Sequence, residues 1–334
     1  MRTRLKDIAN YLNVSVTTVS RALNDKGDIS PQMRQKVLEV AKILDYKPNS
    51  VAISLRKKTA SKLLGIIVPT VNHYFFSTII SGVTTSEYKV DDYMIMIGES
   101  GHDPEREKEL LNNFQDHYVA GIILAPSRHT KSAENVESLK KGKTPFILID
   151  RTFASYEGSY LQYDDYQGGY LAAQHLITKG RKRIALLKGD YDCSISLYRE
   201  RGYKKALRDA GLSVYDHLIL NCPNGSRAEG YDATAMLLNH NHPPDSIMTI
   251  TDQLAAGALR RIDDMGLSVP KNLSVVGYSD SEISKTVTPK LTTVNQDGYA
   301  MGKLAKEYLI QMCINEALVL QKVFPSELII REST

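Results

Sequence analysis

The sequence predicts an α/β protein with parallel sheets and helices on both faces, preceded by a small all-α unit. Three observations predict it. At 334 residues the chain has length for roughly two domains at about 150 residues each. Its first fifth shows helical periodicity and carries the positive charge: residues 1–62 hold 13 Lys and Arg against 5 Asp and Glu, a net of +8, whereas the whole chain nets only +4. From Leu63 onward, short apolar β runs alternate with amphipathic helical stretches, the pattern of βα units. A mildly acidic body with a basic head suggests a head that meets a polyanion, because clustered positive charge attracts phosphates at long range.

Composition narrows the possibilities further. Hydrophobic residues make up 42% and charged residues 24%, which is ordinary for a globular protein and excludes a disordered or collagen-like chain. The longest apolar runs, Leu63 to Val68 and Tyr93 to Ile97, fall far short of the ~18 residues of a membrane span, so no membrane partner is expected. No apolar stretch follows the basic start, so the expected location is the cytoplasm. Cys193, Cys222 and Cys313 are odd in number and have no C-x-x-C spacing, which fits a reducing compartment.

Leu5, Ile8, Ala9 and Leu12 are spaced as one apolar helix face. Asn13-Val14-Ser15 interrupts, with Ser15 placed as N-cap, and a second short helix runs from Val16 to Asn24. Val19, Ala22 and Leu23 share its inner face, while Val16, Thr17, Ser20 and Arg21 project outward. A third helix begins after Ser30 with Pro31 at its first position and ends near Asp45. Two short helices joined by a tight turn and followed by a third make a helix-turn-helix unit, whose second helix enters the major groove of double-stranded DNA. Arg21 suits a bidentate guanine contact, Thr17 a base or phosphate, and Val16 a thymine methyl or the core; Ser15, Thr18 and Ser20 suit phosphates.

The stretch Leu5-Lys-Asp-Ile-Ala-x-x-Leu-x-Val-Ser-x-x-Thr-Val-Ser-Arg-Ala-Leu-Asn24, followed by Tyr46-Lys-Pro-Asn-Ser-Val-Ala-Ile-Ser-Leu55, resembles the lactose-repressor and purine-repressor (LacI/GalR) family of bacterial transcriptional regulators. The resemblance implies base reading by Val16, Thr17 and Arg21. It also implies a hinge helix from Asn49 to Arg56, with Asn49, Ala52, Leu55 and Arg56 at the DNA and Leu55 as the wedge. A helix that short is marginal alone, so it orders only when two copies pack together at the minor groove.

In the body the expected strands are 63–68, 93–97, 121–125, 146–149, 183–187, 217–220, 246–250, 273–277, 291–294 and 327–330. The expected helices are 75–88, 104–115, 166–178, 196–210, 228–238, 255–265 and 299–314. These strands are too many for one small sheet, so two lobes are expected, with the loop-like stretch after Arg151 as a crossover. The family resemblance extends here through Gly65-Ile-Ile-Val-Pro69, Gly121-Ile-Ile-Leu-Ala125, Arg199-x-x-Gly202-Tyr203, Val275-Val-Gly-Tyr278 and Thr288-Pro-x-Leu-Thr-Thr-Val294. It implies a periplasmic-binding-protein-like pair of lobes crossed near residues 160, 290 and 322. The expected organisation is therefore 1–47 for DNA binding, 48–60 for hinge and linker, and 61–334 for effector binding and dimerisation. Lobe 1 would take 61–160 and 291–321, and lobe 2 would take 161–290 and 322–334.

Ligands of open α/β sheets bind at the carboxyl ends of strands, here between the lobes. Phe75, Phe76, Asp150, Arg199, Asp252 and Ser279 follow strands or begin helices and are the candidate effector residues. The resemblance places Phe75, Phe76, Arg199 and Asp252 at or near effector positions. Two departures stand out: His73-Tyr-Phe-Phe76 replaces Asn-Pro-Phe-Phe, and Ser279 replaces an Asp, for which Asp280 is a possible substitute. No phosphate-binding glycine loop, H-E-x-x-H or G-x-S-x-G is present, so no cofactor, metal or catalytic site is expected. The resulting expectation is a homodimeric repressor of a palindromic operator, modulated by a small molecule such as a sugar. A soluble carbohydrate-binding protein and a sugar-handling enzyme of the same architecture are the alternatives. Without a heptad tail, no tetramerisation helix is expected.

Overall fold

The computed structural model describes residues 3–23, 29–46, 62–85, 93–130, 132–153, 156–189, 194–315 and 317–334. The chain divides into two compact units, Met1–Ser61 and Lys62–Thr334. The hinge positions Asn49, Ala52, Leu55 and Arg56 lie outside the described residues, as does Cys193.

Among its described residues the first unit has three helices, α1 (Leu5–Leu12), α2 (Val16–Leu23) and α3 (Pro31–Ile43). Asn13 adopts a left-handed conformation that closes α1, and the Ser15 hydroxyl accepts from the Thr18 amide at 3.0 Å to open α2. Ser30 caps α3 through the Met33 amide, with Pro31 in the first turn where its missing N–H costs nothing. Ile8, Ala9, Val19, Ala22, Val37, Val40 and Ala41 bury one small core between them. That core fixes which face of α2 turns outward.

Among its described residues the second unit holds twelve strands in two six-stranded sheets. The first sheet runs β11-β5-β4-β3-β1-β2, all parallel, where β1 is Leu63–Val68, β2 Met94–Glu99, β3 Gly121–Leu124, β4 Phe146–Ile149, β5 Tyr160–Tyr163 and β11 Gln321–Phe324. The second runs β12-β10-β9-β8-β6-β7, with β6 Ile184–Lys188, β7 Ile219–Asn221, β8 Ser246–Thr249, β9 Ser274–Ser279, β10 Thr292–Asn295 and β12 Glu327–Ile329. In that sheet only the β10–β12 pair is antiparallel. Strands β3 and β4 are apolar and buried along their whole length because helices cover both faces.

The covering helices are α4 (Tyr74–Thr85), α5 (Pro104–Asp116), α6 (Glu134–Lys141) and α12 (Gly298–Ile314) on the first sheet. On the second are α7 (Asp165–Thr178), α8 (Ser194–Asp209), α9 (Arg227–Leu238) and α10 (Asp252–Asp264), with the short α11 (Glu282–Thr286) beside them. Three helix pairs meet through reciprocal glycines. A Cβ on Gly202 would strike the Tyr166 carbonyl and one on Gly169 the Arg199 carbonyl, so α7 and α8 approach backbone to backbone. Gly230 with Gly257 joins α9 to α10 in the same way, and Gly82 with Gly302 joins α4 to α12. Among the described residues no helix is long and apolar enough to cross a membrane.

The lobe boundaries differ from the expected ones. Strands β5 and β11 pair with each other and complete the first sheet, so the stretch after Arg151 returns to lobe 1 before crossing. Strand β10 pairs with β9 and so belongs to lobe 2 rather than lobe 1. The chain therefore crosses after Tyr163, after Asn295 and after Phe324, each a few residues later than 160, 290 and 322. Helix α6 was likewise not expected, because its polar sequence packs only Val136 and Leu139 inward.

Candidate functional site

In the first unit, α2 presents Val16, Thr17 and Arg21 on its exposed side. Val16 is 42% exposed, which removes the alternative that it serves the core. The Ser15 and Thr18 hydroxyls lie 2.8 Å apart and bond to one another at the helix start. An apolar residue, a hydroxyl and a guanidinium thus share one outward face at the amino end of a helix held by a packed core. That geometry suits base edges in a major groove.

In the second unit, a cavity of about 150 Å³ lies between the two lobes, at the carboxyl ends of the strands. It is smaller than the roughly 300–1,000 Å³ of drug-sized ligand sites and suits a small metabolite. Of the sequence candidates, Phe75, Phe76, Asp150, Arg199 and Ser279 line it. Phe75 contributes mainly as packing: it is 3% exposed and meets Tyr163 edge-on at 6.2 Å.

Arg199 is buried and largely committed already. Its Nε and Nη2 both reach Asp165 Oδ1 at 2.8 Å, Nη1 donates to the Ile250 carbonyl at 2.7 Å, and the guanidinium lies 3.5 Å from the Tyr278 ring centroid. Three of its five N–H groups are used, leaving two for a ligand. Asp150 pairs with Arg151 at 3.3 Å. The Ser279 hydroxyl donates to Gln296 Oε1 at 3.2 Å, and Gln296 also lines the cavity.

Asp252 is a correction. It does not line the cavity: its Oδ2 accepts from the Ser281 amide and hydroxyl at 2.7 and 2.8 Å, and its Oδ1 accepts from the Thr293 hydroxyl at 2.6 Å. The carboxylate ties the start of α10 to the loop after β9 and to β10, and burial pushes its pKa up to about 6. Asp280 does not replace the missing cavity carboxylate either. It is turned away to accept from Arg331 Nη2 at 2.6 Å and from the Ser284 hydroxyl at 2.8 Å.

Among the lining residues that were not sequence candidates are His73, His102, Arg128, Ser196 and Gln296. His102 and Arg128 follow β2 and β3 by a few residues, so the strand-end rule that found Asp150 reaches them too. Both imidazoles have a buried Nδ1 without a hydrogen-bond partner. Burial lowers the pKa of His73, and burial with the charges of Arg128 and Arg151 pushes His102 down to about 4. Both rings are therefore neutral near pH 7, each presenting one donor and one acceptor. His102, Asp150 and Ser279 hold positive φ of 63°, 70° and 112° although none is glycine.

A basic helix-turn-helix unit and a two-lobed α/β unit with a metabolite-sized cleft together define an effector-modulated DNA-binding regulator. Comparison with known proteins agrees. Residues 4–49 match the model of bacterial regulatory proteins of the lacI family, and residues 173–334 match a periplasmic-binding-protein-like domain. The catabolite control protein A of Priestia megaterium is 32% identical over 338 residues, covering 100% of both chains. The ribose operon repressor of Haemophilus influenzae is 31% identical, covering 93% of this chain and 92% of its own. Among solved structures, the Lac repressor dimer bound to operator and an anti-inducer superposes with a TM-score of 0.81 at 26% identity, over 100% of this chain and 99% of that one. A regulator from Enterococcus faecium with bound ribose gives 0.72 at 28% identity, over 81% and 98%. The chain belongs to the lacI family of bacterial regulatory proteins, and it is a DNA-binding transcriptional repressor modulated by a small molecule rather than an enzyme.

Proposed function

We propose that the protein represses transcription as a homodimer on a palindromic operator, and that a sugar or sugar derivative bound between the lobes sets its operator affinity. Val16, Thr17 and Arg21 read bases, Ser15, Thr18 and Ser20 contact phosphates, and the hinge positions Asn49, Ala52, Leu55 and Arg56 engage the minor groove. The observation that carries the effector half is the interlobe cavity, lined by both lobes and by polar atoms that have no protein partner. Support for a sugar comes from the relatives, one named for a ribose operon and one holding ribose. A ligand that favours one angle between the lobes shifts the equilibrium between DNA-competent and DNA-incompetent dimers, and operator must alter effector affinity by the same factor.

Fluorescence anisotropy on a palindromic duplex, titrated with and without a sugar panel, tests this reading. Operator affinity should change with at least one sugar, and an affinity indifferent to every ligand that binds the cleft refutes it. Arg21→Ala should cost about 1–3 kcal/mol on operator and relax the preference at one base pair per half-site. Equal losses on operator and random duplex would remove Arg21 from base reading.

A further inference from the structure

Charge accounting around the cleft narrows the ligand. Three guanidiniums line it, those of Arg128, Arg151 and Arg199. Asp165 neutralises Arg199, and Asp150 lies against Arg151. Arg128 has no carboxylate within ion-pair distance among the described residues. Its only hydrogen bond runs from Nη1 to the Pro223 carbonyl at 2.6 Å, across the cleft from lobe 1 to lobe 2, and its Nε is buried without a partner. The carboxylates of Glu107 and Glu229 are engaged elsewhere. Glu107 accepts from the Ser127 amide, Thr130 and Asn135, and Glu229 accepts from the Asn224 and Ser226 amides. From lobe 2, the first turn of α8 brings the Ser196 hydroxyl to the same cavity, buried and unpartnered.

We infer that the effector is anionic, a sugar carrying a phosphate or carboxylate group, and that this group is received by Arg128 from lobe 1 and Ser196 from lobe 2. The inference rests on the reading of the cleft as a sugar site and names the charge of that sugar. Arg128 is half-buried, with its Nε shielded from water and without an acceptor, and an anionic ligand supplies acceptors for the idle N–H groups along with a counter-charge. The neutral His102 beside it adds a hydrogen-bonding group but no charge at physiological pH, so the positive charge is that of Arg128. Because Arg128 already bridges the lobes through Pro223, an anion bound there draws on groups from both and favours the closed cleft.

The test uses the full-length dimer and two matched ligand sets, measured by thermal shift and calorimetry. One set is ribose, glucose and fructose; the other is ribose 5-phosphate, glucose 6-phosphate, fructose 6-phosphate, gluconate and glucuronate. An acidic member should bind about 10–100-fold more tightly than its neutral parent, the range of one charge-assisted contact. Arg128→Gln should erase that gap and Arg128→Lys should restore part of it, and the phosphate and carboxylate arms show which anion fits. A neutral sugar that binds as tightly as its acidic derivative overturns the inference and leaves the sugar reading standing. So does an Arg128→Gln variant that weakens both sets equally. Binding by neither set overturns both readings.

Discussion

Asp252→Asn separates a buried charge from the hydrogen bonds it makes. Asp252 is 2% exposed, and its pKa of about 6 stands above the ordinary 3.8 because burial disfavours the carboxylate more than Thr293 and Ser281 favour it. A folded-state pKa raised in this way gives stability that is present below the unfolded value and lost as pH rises through the folded one. The gap between 3.8 and about 6, at 1.36 kcal/mol per pH unit, makes that loss about 3 kcal/mol. Asparagine is neutral throughout. Its carbonyl takes the two Ser281 donors and its amide faces the Thr293 hydroxyl, leaving one N–H without a partner and a constant offset of about 1–3 kcal/mol. The variant should therefore gain on the wild type by about 2 kcal/mol between pH 4 and pH 7.5, because part of the loss has already occurred at pH 4, and this is roughly 5 °C in Tm for a unit of this size. Scanning calorimetry of both proteins across that range reads the difference, in which the opposing titrations of His73 and His102 cancel. A difference that stays flat within about 1 °C would refute the assignment of a strained buried charge.

Two further perturbations probe the frame of the cleft. Asp165→Ala leaves the Arg199 guanidinium buried with only the Ile250 carbonyl and the Tyr278 ring, and should cost about 3–5 kcal/mol in urea unfolding; an unchanged midpoint would show that the pair contributes nothing. Gly202→Ala forces α8 away from the Tyr166 carbonyl on α7 and should destabilise by about 1–3 kcal/mol, even though alanine is the better helix former; a gain in stability would mean that the two helices separate freely.

The sequence made the fold visible wherever burial was uniform or periodic. Leu63–Val68 and Phe146–Ile149 are apolar along their length and appear where expected, and Ser30-Pro31 starts α3 as its chemistry requires. Strands β5 and β11 were hidden for the opposite reason. Tyr160–Tyr163 alternates partly and fully buried positions, and Gln321–Phe324 is an exposed edge whose only strand partner is β5. Neither carries a hydrophobic signal by itself, and each becomes a strand through the other, some 160 residues away. The later crossings after Tyr163 and Phe324 follow directly from that long-range pairing, and the one after Asn295 follows from β10 joining β9. In the first unit, a single packed core decided the face of α2, so the outward residues were legible from helical periodicity alone.

The cleft was legible in part because position relative to a strand end is readable, whereas the direction of a side chain is not. Asp252 and Ser279 both stand at strand ends or helix starts, yet one is drawn inside by Ser281 and Thr293 while the other faces the cavity. Ser279, Asp150 and His102 take positive φ values that glycine would adopt freely, each at a cost on the order of 1–3 kcal/mol for a residue with a Cβ. All three line the cavity. Glycine at these positions would relieve the strain but remove a hydroxyl, a carboxylate and an imidazole from the ligand's surroundings. Positive φ is not confined to the cavity, since Tyr118, Lys143 and Asp280 share it and do not line the site. Asp150 and Ser279 were found as strand-end residues all the same, and His102 was passed over because it stands three residues beyond the end of β2.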